Sequence, residues 1–195
     1  MIKLLLSIAI ISASLVCCSQ DKSRISWGIK GGLSIASVSR ELGSSAPPDY
    51  NNTSSLGRTK IGGFLQLPLS TRLMFQPEIT LTGKGYREMN SGYPQSNRYS
   101  FLEIPLHLLY VWPGKRGSFM LGGGPMPAFK TSELYFYFPV RDFDLGADLL
   151  AIYQTPLGFS LQLNYTHGFS NIAYSNDIIR KIRSRSWGIT VGYVF

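Results

Sequence analysis

Apolar and polar residues alternate along most of this chain, the period of a strand whose two faces meet unlike surroundings. The last stretch is clearest. Trp187, Ile189, Val191, Tyr193 and Phe195 share one face, and Ser186, Gly188, Thr190 and Gly192 the other, with Val194 the single apolar exception. Near the start, Ile25, Trp27, Ile29, Leu33 and Ile35 stand in the same way against Ser26, Gly28, Lys30, Gly32 and Ser34. Between these two lie further alternating segments at 58–69, 72–86, 98–112, 117–130, 141–154 and 157–169. The fifth strand is the most interrupted, by Gly122-Gly123-Gly124-Pro125 and then Pro127. Proline inside a strand is tolerated mainly at bulges and edges, so a bulge is expected there.

The connections alternate too. Short turns fall at Ser70-Thr71, Pro113 to Gly117 and Thr155-Pro156, and longer polar loops at 39–57, 87–97, 131–140 and 170–182. An even strand number with short turns at one end and long loops at the other is the signature of an outer-membrane barrel. The expected fold is all-β: an eight-stranded antiparallel up-and-down transmembrane β-barrel. A soluble barrel would point its apolar face inward. Here the apolar face carries Trp27, Phe75, Tyr110, Trp112, Phe119, Tyr153, Phe159, Tyr193 and Phe195 near the short-turn rim, an aromatic girdle suited to the head-group boundary.

The other face is then the lumen. It carries Lys30, Lys60, Gln66, Arg72, Gln76, Glu78, Lys84, Glu103, His107, Asp142, Asp144, Asp148, Gln162 and Asn164. Both charge signs are present, so ions can pair rather than be buried singly. Eight strands enclose a space that side chains of this size fill, so a plugged interior network including Lys30, Glu78, Glu103, His107 and Asp148 is expected.

Composition agrees with a barrel. The 195 residues are 15% charged, below the roughly 25% usual in soluble domains. Mean hydropathy is only +0.05, and beyond the N-terminus no run approaches the ~18 apolar residues of a spanning helix. The net charge of +8 allows anionic partners; for an exported chain phosphate-bearing lipids match better than nucleic acid. Export is expected from the first residues. Lys3 precedes an apolar run from Leu4 to Val16, and Cys17 and Ser19 fit a cleavage site before Gln20, giving a signal peptide over 1–19 and a barrel domain over 20–195. The competing reading is acylation of Cys18, although Leu15-Val16-Cys17 lacks the usual small residue before a lipidated cysteine. Both cysteines lie in this segment, so a mature barrel would hold no disulfide.

Several stretches resemble a known group. They are Gly28-Ile29-Lys30-Gly31-Gly32-Leu33-Ser34-Ile35, Gly63 to Ser70, Phe75-Gln76-Pro77-Glu78, Tyr99 to Leu106 with its Leu-Glu-Ile-Pro, Gly122 to Pro125, Leu163-Asn164-Tyr165, Gly168 to Ile172 and Gly188 to Phe195. Together they are similar to the Bacteroidetes outer-membrane β-barrel family labelled PorT-like. The resemblance implies an eight-stranded barrel in the outer membrane. Some members are similar to a component of type IX secretion, which implies an envelope protein complex as a partner.

Candidate chemistry is sparse. His107 and Glu103 share a face and could form an acid–base pair, but no nucleophile stands beside them; an interior ion pair accounts for them as well. His167 and Ser170 lie near the long-loop rim, but a three-residue spacing puts them on opposite faces of a regular strand. No metal spacing, phosphate loop or dinucleotide fingerprint occurs, so no cofactor is expected. Arg180, Lys181, Arg183 and Arg185 gather around the last long loop, where they could meet lipopolysaccharide phosphates or a protein, or serve only to solvate the loop. The expected product is a non-enzymatic outer-membrane barrel. Its partners are membrane lipid, including lipopolysaccharide, and the outer-membrane insertion machinery, to which a terminal Phe195 is suited. A lipid-modifying enzyme and a narrow solute channel are the alternatives.

Overall fold

The structure is a computed structural model that describes residues 25–42, 53–90, 93–134, 141–170 and 179–195. Within them the chain forms β1 (Ser26–Leu42), β2 (Thr53–Pro68), β3 (Leu73–Asn90), β4 (Tyr93–Glu103), β5 (Leu106–Gly114), β6 (Gly117–Leu134), β7 (Phe143–Gln154), β8 (Phe159–Gly168) and β9 (Ile179–Val194), and no helix. All pairings are antiparallel, and β1 pairs with both β2 and β9, so the sheet closes on itself. Closure removes the free edges that an open sheet would leave unpaired in lipid.

Nine strands make eight staves, because β4 and β5 are two halves of one. Thr80 pairs with Glu103 above the break and Pro77 with Leu106 below it, in one unbroken register. The interruption at Ile104-Pro105 corrects the single strand expected over 98–112. Its cause is a belt of prolines on adjoining strands: Pro77, Pro105, Pro125 and Pro127 have no N–H to give to a ladder. The gap is bridged by the groups that remain, Glu78 N–H to Pro105 O and Ile104 N–H to Pro127 O, each 2.9 Å.

The bulge expected at Gly122–Pro125 is absent. The β6–β7 register runs evenly from Ser118↔Gln154 to Phe129↔Phe143. The irregularity lies higher, where Ser100 faces Ser132 but Phe101 faces Lys130, leaving Thr131 as the extra residue. The glycines serve another purpose. A Cβ on Gly122 would sit 1.9 Å from Leu108 O, and one on Gly124 1.8 Å from Leu106 O, so the backbones close in where no side chain intervenes.

At the long-loop end the strands run further than alternation alone marked. β1 continues to Leu42, β2 begins at Thr53, and β9 begins at Ile179, so parts of the loops expected at 39–57, 87–97, 131–140 and 170–182 are ladder. At the other end the turns are tight, with Gly117 (φ 145°) and Gly158 (φ 91°) in the region that favours glycine.

Candidate functional site

Two surfaces could carry function, the lumen and the outer wall. Parity along each strand decides which residue meets which. On β1, Lys30, Ser34 and Ala36 are buried inside, while Trp27, Ile29, Leu33 and Ile35 are exposed outside. The same holds around the ring: the outward residues include Ile61, Ile79, Leu149, Leu163, Ile189 and Val191, all large and apolar. An apolar exterior over a polar interior is the inverse of a soluble barrel and the pattern of a lipid-spanning one.

The lumen is filled by side chains in linked groups. Glu78 is the hub of the first. It accepts from Lys30 Nζ, and its other oxygen accepts from Gln76 Nε2 at 2.8 Å and lies 3.5 Å from His107 Nδ1. Lys30 also donates to Gln162 Oε1 at 3.0 Å. His107 Nε2 sits 3.0 Å from Asp148 Oδ2, and the second Asp148 oxygen accepts from Asn164 Nδ2 at 3.0 Å and Thr166 Oγ1 at 2.6 Å. Glu103 anchors the second group, with Lys84 at 2.8 Å, Lys60 at 3.3 Å and Thr82 Oγ1 donating at 2.8 Å. Asp144 accepts from Ser184 Oγ at 2.9 Å. Toward the short turns, Gln66 Nε2 donates to Gln76 Oε1 at 3.2 Å and to Gln154 Oε1 at 2.9 Å.

Several expectations are thereby corrected. Glu103 and His107 do not pair: each is claimed by other residues, Glu103 by two lysines and His107 by Asp148 and Glu78. Arg72 and Asp142 lie outside the lumen, because both sit at strand ends where parity no longer constrains a long or exposed side chain. Arg72 is exposed at the short-turn rim and donates to Tyr110 Oη at 3.0 Å; Asp142 pairs with Lys130 at 3.0 Å. The five network residues Lys30, Glu78, Glu103, His107 and Asp148 are all buried inside.

Alternation missed an apolar plug. Leu109, Met120, Leu150 and Ile152 are buried together inside the barrel on β5, β6 and β7, with Met74 and Val111 packed against them. Phe64, Phe101 and Met126 also point into the lumen. The signal was present in Leu108-Leu109 and Leu149-Leu150, where both parities are apolar, but such a run does not say which residue faces in.

On the wall, girdle residues form two runs of ring contacts. Trp27 stacks on Phe195 at 4.2 Å, Phe195 meets Tyr193 at 5.0 Å, and Tyr193 meets Phe159 at 5.2 Å. On the far side, Tyr110, Trp112 and Phe119 follow one another at 4.5 and 5.7 Å. Tyr153 gives its hydroxyl to Arg116 O at 3.0 Å. A second, sparser set of pairs, Phe129–Phe143 and Tyr165–Trp187, lies nearer the long loops and was not foreseen.

Of the remaining candidates, Ser170 Oγ accepts the Leu145 N–H at 3.0 Å where β8 ends, and the His167 ring lies against Phe169 at 5.6 Å. Their contacts are those of a strand end. Arg185 is exposed on the outer face of β9, beside His167 of β8 and Ser37 of β1. The side chains of Arg180, Lys181 and Arg183 lie outside the described residues, as does the expected signal segment. Among the described residues, no group of three or more His, Cys, Asp or Glu side chains is arranged to hold a metal ion.

Closed antiparallel ladder, apolar exterior, ring girdle and packed polar lumen together define an integral outer-membrane β-barrel. The chain belongs to the outer membrane protein beta-barrel domain family, whose sequence pattern matches residues 18–174. By structure it is similar to the outer membrane protein OprG from Pseudomonas aeruginosa, at 13% identity over 87% of this chain and 95% of that one, with a TM-score of 0.54. It is similar also to Neisserial surface protein A, at 13% identity over 88% and 99% of the two chains, with a TM-score of 0.50. At such identities the likeness is one of fold. No curated protein matches the chain by sequence.

Proposed function

We propose that this protein is a non-enzymatic outer-membrane scaffold that conducts nothing through its lumen and works by presenting its long-loop end to a partner in an envelope complex. One observation carries the reading: the lumen is occupied by an apolar cluster around Leu109 and Met120 and by ion groups centred on Glu78 and Glu103. Eight strands leave no more room than side chains fill, and here the side chains bond one another across it. Strands that continue past the apolar band at the long-loop end, such as β1 to Leu42 and β9 from Ile179, give that end a stiff collar on which loops can be displayed. The resemblance to PorT-like barrels supports an envelope complex as the setting. The basic residues Arg180, Lys181, Arg183 and Arg185 would lie on that side and favour a partner rich in phosphate or carboxylate.

Planar-bilayer conductance of the purified barrel tests the closed lumen, with no resolved step expected. A stable, porin-sized step would replace this reading with a channel. Loss of acyl groups from lipid A in cells producing the protein, compared with a deletion strain, would replace it with a lipid-modifying enzyme. Crosslinking from the long-loop end in intact outer membranes should capture the partner.

A further inference from the structure

The lipid-facing wall is not uniformly smooth. Between Ile29 on β1 and Ile79 on β3 the lateral partner on β2 is Gly63, in one continuous rank across the sheet. Its parity is outward, where every neighbour is bulky. The result is a groove of about 510 Å³ bordered by Trp27, Ile29, Leu65, Pro77, Ile79 and Ile104, with Gly63 at its floor. Glycine is not required there by crowding. A Cβ on Gly63 would meet only Gly28 O, at 3.5 Å, an ordinary contact, whereas one on inward Gly62 would lie 2.3 Å from Ile79 O. The notch is therefore a matter of surface shape. It is deepened by Pro77, which cannot donate to the ladder just below the Phe64↔Glu78 pair.

A second feature lies just before β3, the strand whose Pro77 and Ile79 border the groove. Arg72 has inward parity, yet its guanidinium donates to Tyr110 Oη at 3.0 Å, and Tyr110 is a girdle ring of the outer face. The cation is thus held at the lipid boundary, exposed and without an ion pair among the described residues. Lys115 and Arg116, exposed on the neighbouring short turn, add charge of the same sign. From Arg72 to Pro77, at the groove's near border, is five residues, and to Ile79, level with Gly63, it is seven. At about 3.3 Å each these are about 17 Å and about 23 Å along the strand. A tilt of about 40° makes them about 13 Å and about 18 Å of depth, on either side of the ~15 Å of one leaflet's hydrocarbon. Phe75 faces outward on the path between the two features, paired with Leu108.

We propose that this arc of the wall is a binding site for one glycerophospholipid of the periplasmic leaflet, its phosphate on Arg72 and one acyl chain lying in the groove over Gly63. The occupant follows from the groove's continuity with the lipid-facing belt, its apolar border, and the fixed cation one leaflet's depth away. Short turns face the periplasm in such barrels, which places Arg72 at the phospholipid leaflet.

Native mass spectrometry of the full barrel, released from a mild detergent after extraction from outer membranes, reads the bound lipid directly. The wild-type barrel should retain one phospholipid. Gly63→Leu fills the groove with a side chain that the wall can hold, and it should lower retention by about tenfold at equal lipid, the effect of about 1.4 kcal/mol. Arg72→Gln leaves the groove intact but should weaken retention of phosphatidylglycerol and leave diacylglycerol unaffected. Heat-modifiability on a gel establishes that each variant is folded, and Arg72→Gln, at an exposed rim, carries the test if Gly63→Leu folds poorly. Absence of retained lipid in the wild type, equal retention by folded Gly63→Leu, or no preference for phospholipid over diacylglycerol each overturns the proposal.

Discussion

His107 Nε2 and Asp148 Oδ2 meet at 3.0 Å although their strands are not neighbours. β6 runs between them, and the residue it places at that level is Gly124, which pairs with Asp148. With no side chain on the intervening strand, the imidazole and the carboxylate reach one another inside the barrel. Glycine at that level and the imidazole–carboxylate contact are one device.

Removing the imidazole should therefore cost more than a cavity. His107→Ala leaves the buried Asp148 and Glu78 carboxylates without the ring between them, and stranding a buried hydrogen-bonding group costs about 1–3 kcal/mol, more for a charged one. Urea unfolding of the barrel in lipid vesicles should show the midpoint falling by a corresponding amount. Gly124→Ala should damage folding as well, since its Cβ would meet Leu106 O at 1.8 Å.

The Glu103 group makes a sharper comparison. Glu103→Ala strands Lys60 and Lys84, both buried, and should destabilise by about 3–5 kcal/mol. The triple replacement Glu103→Leu, Lys60→Met and Lys84→Met removes all the charges together. A well-packed apolar replacement of a buried ion group is often neutral or stabilising, so this variant should unfold later than Glu103→Ala alone. Equal midpoints would mean that the lysines are relieved some other way, by water or by Asp144.

Truncation of the apolar plug should separate stability from conductance. Leu109→Ala opens a cavity among Met120, Leu150 and Ile152 and should cost about 2–5 kcal/mol. Single-channel recordings should nevertheless stay silent, because the Lys30–Glu78–His107 group still spans the lumen beyond it. A conducting Leu109→Ala would make the apolar cluster the sole barrier.

How far the sequence carried these features depended on how sharply the two parities differ. In Trp187 to Phe195 they differ at nearly every step, and both the strand and its outward face follow at once. In Leu106 to Trp112 and Leu149 to Tyr153 both parities are apolar, so the inward Leu109, Leu150 and Ile152 could not be told from the lipid-facing residues beside them. The membership of the polar lumen was legible at Lys30, Glu78, Glu103, His107 and Asp148, but not who pairs with whom. Partners such as Lys30 and Gln162 are 132 positions apart and are set by closure of the barrel. Proline was legible as an interruption but was placed on the wrong strand. The glycines of β6 allow close approach without a bulge, while the break falls at Ile104-Pro105 on the adjoining stave, level with Pro125 to Pro127 of β6. The groove at Gly63 left no trace in alternation, since a glycine among apolar residues looks the same whether it relieves a clash or shapes a surface.

Phe195 closes β9 on β1 in two ways. Its N–H donates to Trp27 O at 2.8 Å, and its ring stacks on Trp27 at 4.2 Å with an interplanar angle of 23°. Phe195 thus joins the last strand to the first at the short-turn rim, on the side chain parity that meets lipid. Deleting it removes one backbone bond and one aromatic pair, the pair alone worth about 0.5–1.5 kcal/mol. It also bares the indole of Trp27, which is already more than half exposed. The deletion should reduce the heat-modifiable fraction both in cells and on refolding into vesicles. If it acts through the Trp27 contact, Trp27→Ala should reproduce the loss in vesicles. If the insertion machinery also reads the Phe195 ring, deletion should be worse than Trp27→Ala in cells but equal to it in vesicles. Unchanged assembly of the truncated chain in both settings would mean that closure of β1 on β9 needs only the ladder from Gly28↔Val194 upward.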